Sequence, residues 1–143
     1  MDDIPFFVKI DHLGIAVPSL EAAVPTWTTL FGKGPEHFEE VPDQRVRTAF
    51  FGVGESHFEL LEPTSPDSPI AAFLDKRRGG IHHVCVQVTD LDAALAEYKR
   101  RGVRLIDQEP RLGAHGCRIA FVHPAATGGV LLELSQPLDE PHP

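Results

Sequence analysis

The feature that most constrains this chain is that it is written twice. Ile10-Asp11-His12-Leu13-Gly14-Ile15-Ala16-Val17 runs into Pro18-Ser19-Leu20-Glu21-Ala22-Ala23. Later, Ile81-His82-His83-Val84-Cys85-Val86-Gln87-Val88 runs into Thr89-Asp90-Leu91-Asp92-Ala93-Ala94. A repeat of this kind fixes the unit of folding before any single residue is considered. Each copy reads as a strand, a polar cap and a helix, with Ser19 and Asp90 at the N-cap positions. The first helix is expected over 20–31, closing at Gly32, with a slight bend at Pro25. The second is expected over 91–101, closing at Gly102, with Lys99, Arg100 and Arg101 in the last turn where the dipole favours cations.

The closing segments match as well: Phe58-Glu59-Leu60-Leu61-Glu62-Pro63 against Leu132-Glu133-Leu134-Ser135-Gln136-Pro137. Between helix and closing strand each copy has room for two more short strands. In the first these are predicted near 37–41 and 47–53, in the second near 104–109 and 118–123, separated by glycine and proline turns. The reading is an α+β fold of two paired βαβββ modules, one spanning about 8–66 and the other about 80–137. A link with a short helix near 70–76 joins them into a single domain over residues 1–143.

Strand side chains alternate between faces. Leu13, Ile15 and Val17 suit a helix-facing side, which leaves His12, Gly14 and Ala16 on the other. Val84, Val86 and Val88 leave His83, Cys85 and Gln87, and the closing strands set Glu59 and Glu133 against the side of Phe58, Leu60, Leu132 and Leu134. A carboxylate flanked by core residues is costly unless it is exposed, paired or ligating. The spacing decides among these: His12 to His83 is 83 − 12 = 71 and Glu59 to Glu133 is 133 − 59 = 74. Singly, each residue reads as a solvated group on a half-wet sheet. Together, at equivalent positions of two modules related by a pseudo-twofold, they read as ligands of one divalent cation. Two imidazoles and two carboxylates compensate its charge and leave octahedral positions open. No cysteine joins the set, which disfavours structural zinc.

A formal charge of −8 repels phosphate backbones, so nucleic acid is not an expected partner. No apolar run approaches the ~20 residues of a membrane span. The start, Met1-Asp2-Asp3-Ile4-Pro5, lacks the basic opening of a secretory signal, and Cys85 and Cys117 read as reduced core residues. A cytoplasmic location is expected.

The segments Asp11-His12-Leu13-Gly14-Ile15-Ala16-Val17-Pro18, Glu59-Leu60-Leu61-Glu62-Pro63, Gly80-Ile81-His82-His83-Val84, Gly113-Ala114-His115-Gly116, His123-Pro124 and Gly128-Gly129-Val130-Leu131-Leu132-Glu133-Leu134 resemble the methylmalonyl-CoA epimerases of the vicinal-oxygen-chelate superfamily. The likeness runs from about residue 8 to residue 137. It implies an eight-stranded open barrel, a homodimer, and a divalent metal such as cobalt, manganese or magnesium held by His12, Glu59, His83 and Glu133. It also implies an acyl-CoA substrate whose C2 proton is removed on one face and returned on the other, making the chain an isomerase. Glu133 takes the family's place of ligand and acid/base. Asp43 falls where the family has the opposing glutamate, one methylene shorter, and Arg45 replaces a glycine; read on its own, Asp43 is a turn residue after Pro42. The alternatives are a glyoxalase-type isomerase using the same four ligands, an extradiol dioxygenase, which the fourth ligand argues against, and a non-catalytic small-molecule binder.

His115 reads as a substrate contact or a solvent-facing loop residue. Lys76, Arg77 and Arg78 read as a contact for CoA phosphates or a solvated helix end. His37, His57, His82, His123 and His142 receive no role, and the tail 139–143 is expected to fray.

Overall fold

A computed structural model describes residues 3–138. The expected fraying of 139–143 and His142 fall outside the described residues. The chain divides into two compact units. One runs from His12 to His82, and the other joins the residues up to Asp11 with those from His83 onward.

In the first module, β1 (Phe7–Ala16) leads through Ser19 into α1 (Leu20–Phe31), followed by β2 (His37–Val41), β3 (Val46–Val53), β4 (Ser56–Pro63) and α2 (Pro69–Arg77). The strand order is β2-β3-β4-β1, with β1 parallel to β4 and the other pairs antiparallel. In the second, β5 (Gly80–Val88) leads through Asp90 into α3 (Leu91–Arg100), then β6 (Arg111–Leu112), β7 (Cys117–Val122) and β8 (Leu132–Pro137), in the order β5-β8-β7-β6 with β5 parallel to β8. The architecture is α+β, two βαβββ modules carrying eight strands among the described residues.

The helices begin and end where cap chemistry dictates. Ser19 Oγ accepts from the Ala22 amide at 3.3 Å and Asp90 Oδ1 from Ala93 at 3.0 Å. α1 runs through Pro25 and stops at Gly32, whose φ of 72° lets its N–H reach the Thr28 carbonyl. A second cap recurs in both modules: Glu62 Oε1 accepts from the Leu20 amide at 2.6 Å, and Gln136 Oε1 from Leu91 at 2.7 Å. The end of each closing strand thus fixes the first turn of its own module's helix.

The cores differ in filling. The first packs Ile15, Val17, Leu20, Phe51 and Leu60 with Trp27, Phe31 and Phe58, whose rings lie 5.2–5.7 Å apart. The second centres on Val88, Leu91, Leu95, Leu105, Val122 and Leu134, with Phe6 and Tyr98 packed against them. Within the second unit, Phe6 contributes its carbonyl to the Thr89 amide at 2.9 Å, and the Phe7 ring lies 6.4 Å from Tyr98.

One strand is not where the sequence put it. Residues 104–109 make a single bridge, Leu105 to Val122, and the regular outer strand is β6. The cause is Asp107. Its Oδ2 accepts the Phe121 amide at 2.8 Å, taking the bond a strand carbonyl would make, while Ile106 and Asp107 both donate to the Phe121 carbonyl. Pro110 follows, with no amide to offer a ladder.

Candidate functional site

Each module carries one histidine and one glutamate, and each brings its pair together. In the parallel β1–β4 pairing, Gly14 stands opposite Glu59, with His12 one pleat back on the same face; His12 Nε2 lies 3.3 Å from Glu59 Oε2. In the β5–β8 pairing, Cys85 stands opposite Glu133, with His83 one pleat back; His83 Nε2 lies 3.0 Å from Glu133 Oε1. The same register, built twice, gives the same side-chain geometry twice. The small residue at the opposing position, Gly14 or Cys85, leaves the carboxylate room to turn toward the ring.

All four groups are withdrawn from water: His12 is 8% exposed, and Glu59, His83 and Glu133 are 5% each. On the antiparallel neighbour, Phe50 is in register with Glu59 and Phe121 with Glu133. Both rings are buried, and Phe121 meets His83 edge-on at 5.9 Å. These phenylalanines were not singled out from sequence. Their spacing, 121 − 50 = 71, is that of the histidines and was the signal to follow. An apolar wall beside a carboxylate raises the cost of its charge, and so raises what a cation placed there contributes.

The donor set fits a divalent metal. Bonds of ~2.1 Å on an octahedron hold neighbouring ligand atoms about 3 Å apart, which is the Nε2-to-oxygen separation within each pair. Imidazole nitrogen and carboxylate oxygen suit manganese, cobalt or magnesium.

Asp43 sits on a short 3-10 turn, Pro42–Gln44, exposed to solvent. Arg45 ends that turn at φ 54°, ψ 50°, the left-handed region where glycine is comfortable and other residues are strained by roughly 1–2 kcal/mol. The turn is anchored to the link that follows: the Thr64 amide donates to the Arg45 carbonyl at 2.8 Å, Ser68 Oγ to the Gln44 carbonyl at 3.4 Å, and the Arg45 guanidinium faces Asp67 at 3.6 Å. The Ser65 hydroxyl, with Arg45 beside it, holds the Asp67 carboxyl below its usual range.

His115 lies in the turn Ala114–Gly116 at φ 59°, another non-glycine in the left-handed region. The remaining described histidines have local roles. His123 Nδ1 accepts the Ala125 amide at 3.0 Å, His37 faces Glu39 at 3.3 Å, and His57 and His82 pack edge-on against Phe50 and Phe73. Cys85 is buried and Cys117 half-buried. Among the described residues no helix is long and apolar enough to cross a membrane.

Residues 11–121 match the Glyoxalase/Bleomycin resistance protein/Dioxygenase superfamily. The chain is 39% identical over 129 residues to the mitochondrial methylmalonyl-CoA epimerase of Homo sapiens, covering 90% of this chain and 73% of that one. It is 40% identical over 130 residues to the ethylmalonyl-CoA/methylmalonyl-CoA epimerase of Cereibacter sphaeroides, covering 90% and 97%. Among solved structures it is similar to a methylmalonyl-CoA epimerase in complex with methylmalonyl-CoA and ammonium, with a TM-score of 0.89, 37% identity, and coverage of 96% and 99%.

Proposed function

We propose that this chain, which belongs to the Glyoxalase/Bleomycin resistance protein/Dioxygenase superfamily and within it to the methylmalonyl-CoA epimerase family, is an isomerase that inverts C2 of methylmalonyl-CoA or a close acyl-CoA. The observation that carries the reading is the doubled buried pair, His12 with Glu59 and His83 with Glu133, in a chain so similar to epimerases along its length. His12, Glu59, His83 and Glu133 would hold one divalent ion, with cobalt, manganese or magnesium fitting the nitrogen and oxygen donors. When bound, such an ion supplies Lewis-acid stabilisation of the negative charge that develops on a thioester oxygen as C2 loses its proton.

The protein's own groups do the rest. Inversion needs a proton taken from one face of C2 and another delivered to the opposite face, each by a group within hydrogen-bond reach. Glu133, beside Phe121 in a dry setting, is the acid/base on one face. Asp43, on the exposed turn before β3, is the acid/base on the other. The buried histidines, positioned one pleat from the glutamates, keep the carboxylates oriented. A one-methylene shortfall at Asp43 matters because ~1 Å of misplacement costs about a hundredfold in rate; the strained Arg45 turn is the device that sets its reach.

A homodimer and a cytoplasmic setting go with this reading. Leu30 and Phe38 are large apolar side chains left exposed on the first module, the kind of surface a dimer covers.

Incubation with cobalt and methylmalonyl-CoA in heavy water tests the proposal. Deuterium should enter at C2 with interconversion of the two configurations, and a chelator should stop both. A metal-loaded protein that leaves C2 untouched but isomerises a glutathione thiohemiacetal belongs to the glyoxalase reading instead.

A further inference from the structure

We propose that the basic run Lys76-Arg77-Arg78, at the end of α2, docks the phosphate groups of the coenzyme A thioester; this rests on the acyl-CoA reading above. The chain carries a formal charge of −8, yet three cations stand in a row here, all exposed. Several cations elsewhere face carboxylates, as Arg47 does Glu62 at 3.7 Å, Arg111 does Asp107 at 3.1 Å and Arg118 does Asp92 at 2.9 Å. Among the described residues no carboxylate lies in ion-pair range of Lys76, Arg77 or Arg78, although Asp75 precedes them. The negative end of a helix dipole accounts for cations in the last turn. It does not account for Arg78, which ends the helix at φ 63°, where glycine would avoid the strain and where two glycines follow immediately.

Arg77 is held by stacking: its guanidinium lies 5.7 Å from the Phe73 ring, and Phe73 in turn meets the edge of His82 at 5.1 Å. Stacking orients the planar group while leaving its N–H donors available for a phosphate. The placement suits a long substrate. The start of α2 is tied to the Asp43 turn through Ser68 and Gln44, and nine helical residues carry the chain about 13 Å onward to the basic run. Gly79, next after the run, packs so closely on β1 that an added Cβ would lie 3.2 Å from the Ala16 carbonyl oxygen. The base and the basic run are therefore at the two ends of one rigid helix, as the reacting carbon and the phosphates are at the two ends of a pantetheine arm.

Calorimetric titration of the full chain with coenzyme A and with pantetheine, which lacks the nucleotide, tests this. In the combined variant Lys76→Gln, Arg77→Gln, Arg78→Gln, coenzyme A should bind about tenfold more weakly, since exposed charge contacts are individually small, while pantetheine is unaffected. Arg78→Gly removes one charge while relaxing the backbone, so it keeps the fold; it should weaken coenzyme A by about threefold. Equal affinity of wild type and both variants for coenzyme A, or equal losses for coenzyme A and pantetheine, would overturn the proposal. Deuterium exchange at C2 is a separate readout. Its absence in wild type counts against the epimerase reading, and the coenzyme A titration still decides the role of the run.

Discussion

The two modules repeat some features and abandon others, and the division is informative. Both keep a histidine one pleat from a buried glutamate, a phenylalanine in register with that glutamate, a cap on the helix N-terminus, and a strand-end oxygen accepting the helix's first amide. They part at the outer edge, where β2 pairs with β3 over five residues and β6 with β7 over two. They also part in the core, richer in aromatic rings in the first, with Phe51, Trp27, Phe31 and Phe58, than in the second, with Phe6 and Tyr98. What is kept places a buried histidine–glutamate pair; what varies only has to fill space and close a sheet. The turns before β3 and β7 sharpen the contrast. They are equivalent in the repeat, Val46 to Cys117 being 117 − 46 = 71, so Asp43 corresponds to Ala114 and Arg45 to Gly116. Both Arg45 and Gly116 have positive φ, 54° and 65°. The first module thus carries a carboxylate where the second has a methyl group, and the left-handed non-glycine is Arg45 in the first turn and His115 in the second.

The largest expected break in the symmetry is chemical. Glu133→Gln should lower the rate of C2 exchange by about a thousandfold, the scale of a lost acid/base. Glu59→Gln keeps an oxygen donor and should stay within about tenfold of wild type, because in the proposed reading Glu59 moves no proton. Equal losses would make the two glutamates equivalent and remove the assignment. Next comes the turn. Asp43→Asn should cost about a hundredfold in kcat with little change in KM, and Asp43→Glu should retain activity; an Asn variant of full activity would leave Asp43 a turn residue.

Smaller effects concern stability. Arg45→Gly should raise unfolding free energy by about 1 kcal/mol and Gly116→Ala should lower it by about as much, read from denaturant midpoints, since one relieves and the other creates left-handed strain. The smallest lies in α3, where Glu97 is gripped by Arg100 and Arg101 and its carboxyl is pulled from 4.5 to about 2. A depressed carboxylate stabilises the fold above its unfolded value. That contribution is whole above about 4.5 and drains away as pH falls toward 2. Glu97→Gln should flatten that acid limb; its counterpart in the first module, Thr26, has no such limb to lose.

Much of this was legible because repetition multiplies weak signals. Ser19 and Asp90, Gly32, and the strand bounds near His12, Glu59, His83 and Glu133 follow from periodicity and cap chemistry that appear in both copies. The outer strand of the second module was not legible, because Asp107 substitutes a side-chain oxygen for a backbone one and alternation alone does not reveal that. The caps from Glu62 and Gln136 were missed for a related reason: the bonds span 42 and 45 residues, and only the folded chain shows which amide a strand-end side chain meets. Phe50 and Phe121 were hidden in plain view, since a phenylalanine in a strand reads as core until its register partner is known.

The central claim, that two half-sites hold a single ion, is tested most directly by counting metal. Titration with cobalt, followed by its visible absorbance, should saturate at one ion per chain, and His12→Ala and His83→Ala should each abolish tight binding. Two ions per chain, or undiminished binding when one module's histidine is removed, would contradict it.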